Sequence, residues 1–195
     1  GDYCRSVSIS SDGKYIVAGC DDDKIYFFSK DSSTPIWTYS TGGSVTKVSI
    51  SGDGSYVVAG SKDDKVYLFR KDSSTPVWSY STGNDVSALS ISADGEYIVA
   101  GSYDHKAYLF SKDSSTPIWN YNDGYDVKSV SISSNGNYIV VGSEDDKVYL
   151  FHKHSSTPQW TYDTGDNVNS VSISEDGEYI IIGSQEDNTY LFDKD

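Results

Sequence analysis

Methionine is absent from this 195-residue chain, and lysine and arginine total only 15 against 29 aspartates and glutamates. The formal net charge of −14 excludes nucleic acid and anionic membrane surfaces as expected partners, because both would repel the protein. No apolar run exceeds about six residues, whereas roughly 20 are needed to span a bilayer, so we expect no membrane insertion. The missing initiator predicts that the chain has been processed, cropped or fused upstream of Gly1.

Cysteine is also scarce, because Cys4 and Cys20 are the only two. They are too few for a disulfide scaffold and lack the spacing of a metal site. A composition rich in serine, threonine, asparagine and tyrosine and poor in basic residues favours an extracellular or cell-surface location, with the cytoplasm as the alternative. No Asn-x-Ser/Thr glycosylation site is present to support export.

One repeated segment dominates the chain. The sequence VSISSDGKYIVAG at 7–19 returns with few changes at 48–60, 89–101, 130–142 and 171–183. Its central glycine recurs every 41 residues without insertion or deletion, at Gly13, Gly54, Gly95, Gly136 and Gly177. A period of this size with strand patterns inside it is typical of a propeller or a similar repeat array. We therefore expect a single domain over 1–195, built from units 1–41, 42–82, 83–123, 124–164 and a shorter 165–195.

Each complete unit contains four segments with the pattern of β-strands. The first, such as 48–51, alternates apolar residues with serine, so one of its faces is buried. The second and third, such as 15–19 and 65–69, are apolar on both faces, as central strands are. The fourth, such as 76–81, begins with proline, which suits an edge strand because proline donates no ladder hydrogen bond. Helical spacing is absent, so the pattern predicts an all-β, five-bladed β-propeller of four-stranded antiparallel blades.

The fifth unit stops at Asp195, before the segment that would form its outer strand. We therefore expect 19 strands, with only three in the fifth blade. The third strand of that blade would present an open edge of N–H and C=O groups. Closure of the ring through the inner strands of one chain is the favoured expectation. Self-assembly, in which a strand from another chain completes the sheet, is the alternative.

The motifs resemble the repeats of two related propeller families over the whole chain. Segments such as DGSYVVAGSKDDKVYLF at 53–69 are similar to WD-type repeats, although the Gly-His and Trp-Asp pairs of that family are missing. The fourth segment and its exit resemble the repeat of pyrroloquinoline-quinone-type propellers, in which an outer-strand tryptophan docks against the neighbouring blade. The matching residues are Trp37, Trp78, Trp119 and Trp160. The Thr-Gly-Lys that precedes this tryptophan in the family is replaced by Ser-Ser-Thr-Pro, and we interpret the repeat as a non-enzymatic, scaffold-like form.

Sequence features of an enzyme are missing. The quinone-dependent dehydrogenases of the family carry a disulfide between adjacent cysteines and an Asp and a Glu that break the repeat, and neither is found here. The serines recur at equivalent positions without a matching histidine to activate one. His152 and His154 stand two residues apart but lack a third metal ligand. We expect no catalytic residue, no metal site and no cofactor.

Cys4 and Cys20 both fall in the first unit, where the other units have residues such as Val45 and Ser61. Cys4 opens the first strand and Cys20 closes the second, so a hairpin turning at Asp12-Gly13 brings the two cysteines opposite each other. Directly opposed Cβ atoms lie about 4.5–5.5 Å apart, slightly more than the ~3.8 Å of a bridged pair. Two free thiols are the default expectation, and a disulfide is the alternative.

The turns between the second and third segments are acidic, at 21–23, 62–64, 103–105, 144–146 and 185–187. They form either a ring of carboxylates that binds a basic partner or cations, or solvated turns in which aspartate caps backbone N–H groups. A ring spreads its carboxylates apart, and calcium needs six to eight oxygens that converge. The connectors at 42–44, 83–85, 124–126 and 165–167 vary most and share this face. Our candidate binding residues on it are Asp22, Asp63, Tyr103, Asp104, Tyr125, Asp145 and Glu186.

Three functions remain in competition. The first is a non-catalytic binding or scaffold propeller whose acidic loop face engages a protein or glycan partner. The second is a structural subunit of a cell-surface or filamentous assembly completed by strand exchange. The third is a multivalent lectin, because near-identical blades offer repeated sites.

Overall fold

The computed structural model of the protein describes residues 2–185 and 188–195. These residues form 19 strands in five antiparallel sheets of four, four, four, four and three strands, and they contain no helix, hence none that could cross a membrane. The sheets are the blades of a five-bladed β-propeller with a short fifth blade, as the repeat predicted. By blade, the strands are β1 (Cys4–Ile9), β2 (Tyr15–Cys20), β3 (Lys24–Ser29) and β4 (Trp37–Ser40); β5 (Val45–Ile50), β6 (Tyr56–Ser61), β7 (Lys65–Arg70) and β8 (Trp78–Ser81); β9 (Val86–Ile91), β10 (Tyr97–Ser102), β11 (Lys106–Ser111) and β12 (Trp119–Asn122); β13 (Val127–Ile132), β14 (Tyr138–Ser143), β15 (Lys147–His152) and β16 (Trp160–Asp163); β17 (Val168–Ile173), β18 (Tyr179–Ser184) and β19 (Thr189–Asp193).

Each blade is an antiparallel meander whose hairpins are fixed by local hydrogen bonds. In the first blade the turn between β1 and β2 places Gly13 at φ 69°, a conformation that glycine adopts without strain. The Ser10 hydroxyl donates to Asp12 at 2.7 Å and accepts from the Tyr15 N–H at 3.1 Å. The register that follows sets Ile16 opposite Ile9.

The core lies between successive blades. Between the first and second blades, Phe27 and Trp37 stack at 5.0 Å and pack on Phe69 of the next blade. The Trp37 indole N–H also donates to the Lys71 carbonyl oxygen at 3.0 Å. The same bond recurs from Trp78 to Lys112, Trp119 to Lys153 and Trp160 to Lys194. Each of the first four blades thus docks its outer tryptophan on the neighbouring blade, as the family resemblance implied.

We call the face of a blade that is directed at the next blade its forward face, and the face directed at the preceding blade its backward face. At the four boundaries between successive blades, a forward face packs on a backward face. Gly19 on the first forward face is one point of close approach, because a Cβ there would lie 2.4 Å from Val45 Cγ1. Gly60, Gly101 and Gly142 receive the valines of the next blades in the same way. Glycine at this position lets the sheets approach closely enough to interlock.

A second link between blades runs through backbone hydrogen bonds at the inner turns. The N–H of Ser11 donates to the Gly52 carbonyl, Gly52 to Ala93, Ala93 to Ser134, and Ser134 to Glu175, at 2.9–3.0 Å. Within the described residues this series ends there. Among residues 2–185 and 188–195, the Glu175 N–H donates to no backbone carbonyl, and the Ser11 carbonyl accepts no backbone N–H.

The ring closure expected from the sequence is not found among the described residues. Inner strands pack in the order β1, β5, β9, β13 and β17, and no comparable packing joins β17 to β1. Val7 on the first backward face is 70% exposed, whereas its equivalent Val48 is 6% exposed. Leu191 on the fifth forward face is 72% exposed, whereas Leu150 is fully buried. The two end faces of the propeller are thus uncovered in the single chain.

Cys4 and Cys20 occupy opposed positions on β1 and β2. The structure joins them by a disulfide across 16 residues of sequence, in place of the two free thiols expected by default. The bridge lies at the end of the first hairpin, on the uncovered backward face.

Candidate functional site

The turns between the second and third strands and the connectors between blades meet at one end of the propeller, which we call the loop face. The Gly42 N–H in the first connector donates to Asp63 Oδ2 in the turn of the second blade, at 2.7 Å. The Gly83 N–H donates in the same way to Asp104 at 3.0 Å. The predicted proximity of the acidic turns and the variable connectors is therefore present in the fold.

The aspartates predicted on this face make internal bonds. Asp63 Oδ2 accepts the Tyr67 hydroxyl at 2.5 Å as well as the Gly42 N–H. The remaining aspartates each accept the hydroxyl of the tyrosine four residues on: Asp22 from Tyr26, Asp104 from Tyr108 and Asp145 from Tyr149. The side chains of Asp104 and Asp145 are 8% and 7% exposed, so most of each carboxylate is out of a partner's reach.

The tyrosines that hold these aspartates are core residues of the third strands. Tyr67, Tyr108 and Tyr149 are all buried. Burial and the hydrogen bond to the aspartate raise the pKa of each phenol, so these tyrosines stay neutral donors at all physiological pH values. The pairs join the loop face to the core between blades, a role that the sequence pattern did not reveal.

One connector breaks the repeat. In the other connectors a threonine hydroxyl donates to the preceding turn, as Thr82 does to the Asp64 carbonyl at 2.9 Å. The equivalent residue in the third connector is Asp123, whose Oδ2 is buried and has no hydrogen-bond partner among the described residues. Burial raises the pKa of this carboxyl, and the charge of Asp145 adds to the effect. Aligning the repeat at 41, 82, 123 and 164 gives Thr, Thr, Asp, Thr, a signal that sequence reasoning missed.

Asp123 also shapes an exposed aromatic group of the loop face. Its Oδ1 accepts the Tyr125 N–H at 2.9 Å, and the Tyr125 residue is 55% exposed. His105 lies in the adjacent turn with its Nδ1 3.1 Å from Asp126 Oδ1. The predicted candidate Tyr125 is therefore available to a partner.

A cleft of about 340 Å³ opens on the loop face at the inner strands of the first three blades. Its basic residues are Arg5, Lys47 and Lys62, and Asp85 and Tyr103 line it as well. Tyr103 is half-buried, with the Lys128 ammonium 5.1 Å from its ring centre. Positive charge is thus concentrated here in a strongly acidic protein, which the ring of acidic turns did not predict.

Within this cleft, Arg5 already forms an ion pair. Its guanidinium pairs with the Asp21 carboxylate, and the hydrogen bond between them lowers the pKa of Asp21. Lys47 and Lys62 are exposed and take part in no ion pair among the described residues. They are the cations best placed to meet an anionic group.

The described residues contain no cluster of three or more His, Cys, Asp or Glu side chains that could hold a metal. The His152 and His154 rings lie 5.1 Å apart, and burial lowers the pKa of His152. The last predicted candidate, Glu186, lies outside the described residues. The loop face therefore presents to a partner the exposed Tyr125, the exposed Lys47 and Lys62, and carboxylates that already accept internal hydrogen bonds.

The PQQ_2 family model, described as outer membrane protein assembly factor BamB, matches residues 5–193. No curated protein matches the chain.

Proposed function

This chain belongs to the PQQ_2 family, whose repeats build a β-propeller scaffold, and from that membership we propose that it is a non-catalytic scaffold that binds a protein partner on its loop face. The family description names an assembly factor, a role that depends on contact with other proteins. Nearly all of the chain is matched, so the proposal concerns the whole domain.

One observation carries the proposal: the repeats differ most on the loop face. The blade cores repeat almost unchanged, whereas the third connector alone carries Asp123 and the exposed Tyr125. Exposed aromatic side chains bury much area at low entropic cost, and tyrosine is enriched where proteins meet. Residues that break a structural repeat without serving its packing are suited to recognition.

The cleft on the same loop face suggests what the partner presents. Lys47 and Lys62 would meet an acidic side chain or a chain carboxylate that enters the cleft. One oxygen of the Asp63 carboxylate and one of the Asp104 carboxylate are each engaged by a tyrosine hydroxyl and a backbone N–H. We therefore assign them to holding the connectors, and assign recognition to Tyr125 and the cleft.

We propose an extracellular or cell-surface location for this scaffold. The disulfide between Cys4 and Cys20 supports it, since such bonds persist in oxidising compartments.

Site-specific photocrosslinking tests the proposal. A benzophenone amino acid replaces Tyr125 in one version of the chain and Ile118, a similarly exposed residue at the start of an outer strand, in the control. In cells of the source organism we expect a discrete protein adduct at 125 and none at 118. Equal crosslinking at both positions would refute a specific loop-face partner. Binding of the purified chain to a glycan array, lost on Tyr125→Ala, would favour the lectin instead.

The non-catalytic part of the proposal has its own test. The chain is mixed with pyrroloquinoline quinone and calcium and assayed for dye reduction with alcohols and aldoses. We expect no turnover above the quinone alone, and turnover that requires the folded chain would refute the proposal.

A second candidate, an assembly subunit completed by strand exchange, is favoured by the edge of β19. A groove of about 350 Å³ lies there, lined by Trp160, Tyr162 and Phe192. Appending Ser-Ser-Thr-Pro-Ile-Trp-Thr-Tyr-Ser-Thr after Asp195 supplies the missing strand. If strand exchange drives assembly, the extended chain should melt higher and associate less. Unchanged stability and association would exclude this candidate.

A further inference from the structure

The two uncovered end faces have the composition of interior surfaces. On the first backward face, Val7 and Ile9 of β1 are exposed and Ile16, Ala18, Tyr26 and Phe28 are half-buried. The fifth forward face exposes Tyr179, Ile181 and Leu191. Their equivalents at the four boundaries between blades belong to the buried clusters of the core. Apolar patches of this kind on a soluble protein mark sites of interaction.

The four internal boundaries define what fits each face. Every forward face packs on a backward face, and the residues involved repeat from one boundary to the next. The fifth forward face and the first backward face are therefore the two halves of a fifth boundary of the same kind. They are complementary in chemistry, although the chain does not bring them together.

The backbone series at the inner turns points to the same pairing. Its free donor is the Glu175 N–H on the fifth blade, and its free acceptor is the Ser11 carbonyl on the first, within the described residues. A bond between them would continue the series with the direction of the four existing bonds.

The fifth forward face has an open hollow at the position where, on the other four blades, the valines of the next blade pack against a glycine. At the preceding boundary, Val168 and Val171 approach Gly142 so closely that a Cβ there would lie 2.5 Å from the Val168 Cγ1. At Gly183 only Ser170 would come within 4 Å, and a hollow of about 230 Å³ remains. The residues equivalent to the two valines are Cys4 and Val7 on the first blade.

The two groups that would form a further cation–π contact are also present, one on each end face. At three boundaries a lysine ammonium lies over a tyrosine of the preceding blade, as Lys153 does over Tyr97 at 4.6 Å. The equivalent residues at the ends are Lys30 on the first blade and Tyr179 on the fifth. Tyr179 is exposed, and Lys30 is paired only with the neighbouring Asp31.

We propose that the forward face of the fifth blade binds the backward face of the first blade of a second copy of this chain, head to tail. Glu175, Gly183 and Tyr179 of one copy meet Ser11, Val7 and Lys30 of the other. This interface lies apart from the loop face, so it goes beyond the proposed function and either proposal can fail alone. A head-to-tail interface generates a closed ring or an open chain, depending on the rotation between copies.

The proposed interface differs from the internal boundaries in one bond. The fifth blade has three strands and hence no outer tryptophan to bond the Lys30 carbonyl. We therefore expect it to be weaker than an internal boundary and to depend on concentration. Each copy carries a net charge of −14, so added salt should strengthen the association by screening repulsion.

A complementation experiment tests the proposal. Val7→Asp blocks the backward face and Leu191→Asp the forward face, while Val77→Asp, at an exposed position just before β8, is the matched control. In analytical ultracentrifugation over a concentration series, we expect the wild type and Val77→Asp to associate. Each end-face variant alone should be monomeric, with its dissociation constant raised at least about tenfold by the buried charge. An equimolar mixture of the two variants should form a one-to-one dimer, because each retains the face that the other lacks.

Three results would overturn the proposal: a wild type that stays monomeric throughout, a mixture that fails to pair although the wild type associates, or a Val77→Asp variant that is equally impaired. If either aspartate variant melts well below the wild type, Val7→Ser and Leu191→Ser replace them with the same expectations.

The chain extended after Asp195, described above, distinguishes this head-to-tail interface from strand exchange. Its added tryptophan supplies the missing bond to the Lys30 carbonyl, so we expect tighter association, whereas strand exchange requires weaker association.

Discussion

The indole N–H of Trp119 donates to the carbonyl oxygen of Lys153 at 3.0 Å, across the boundary between the third and fourth blades. The ring itself is buried and lies 5.2 Å from Phe151 of the fourth blade. One side chain thus contributes both apolar area and a directional bond to the same boundary. The repetition of this pair makes the outer strand a link between blades as well as an edge.

Trp119→Phe should lower the free energy of unfolding by about 1–2 kcal/mol, because it removes the hydrogen bond and some apolar area but keeps an aromatic ring. Trp119→Ala should cost about 3–5 kcal/mol. Urea denaturation of both variants measures the two effects. If Trp119→Phe were as damaging as Trp119→Ala, the ring stacking would not contribute as described.

Gly101→Ala should destabilise the protein by about 1–3 kcal/mol, because the new Cβ would lie 2.4 Å from Val127 Cγ1 in a packed boundary. Gly183→Ala is the matched control on the uncovered fifth face, where only the Ser170 hydroxyl is near. In thermal denaturation, Gly183→Ala should lower the melting temperature clearly less than Gly101→Ala does. Equal losses would show that the fifth face is packed in solution.

The Cys4–Cys20 disulfide predicts an unreduced mass two daltons below that of the dithiol and no labelling by a thiol reagent. Reduction should lower stability by about 2–3 kcal/mol, since a loop of this length gains roughly that much from crosslinking. The Cys4→Val/Cys20→Ser double variant, which copies the second repeat, should unfold like the reduced protein. Full labelling of the untreated chain would establish two free thiols.

Asp123→Thr should stabilise the protein at neutral pH by about 1 kcal/mol, because it removes a half-buried carboxylate with one unpartnered oxygen and restores the hydroxyl of the other connectors. The pKa of the Asp123 carboxyl is raised in the folded state, so its ionised form opposes folding. The penalty is present above the folded pKa and disappears as pH falls below the unfolded value, where both states are protonated. The gain should therefore shrink from pH 7 to pH 3 in urea denaturation. A gain that is constant with pH would contradict this assignment.

The repeat allowed nearly all of the fold to be predicted, for a physical reason. Alternation at positions such as Val48 and Ile50 and the fixed glycine of each hairpin specify the strands locally, and their period specifies the stacking of blades. Ring closure could not be predicted in this way, because it depends on the angle between successive blades. Repeated residues such as Gly60 and Val86 determine which faces meet but not whether the fifth meets the first.

The candidate site was harder to predict for a related reason. Sequence identifies the acidic turns, but it does not show that Asp104 turns inward to Tyr108 while Tyr125 turns outward. The cleft brings Arg5, Lys47 and Lys62 together from distant turns and strands, so no linear motif reveals it. Deviations from the repeat, such as Asp123, were the available signal.

The central claim is that five blades are linked in series and that the series is open between the fifth and the first. Amide hydrogen exchange in the unmodified chain, at a concentration at which ultracentrifugation shows it to be monomeric, tests it most directly. The N–H groups of Ala93 and Ser134 donate across blade boundaries at 3.0 Å, whereas that of Glu175 has no backbone acceptor in the described chain. We predict that Glu175 exchanges about tenfold or more faster than Ala93 and Ser134. Equal protection of all three amides would show that the ring closes within one chain and would contradict the account.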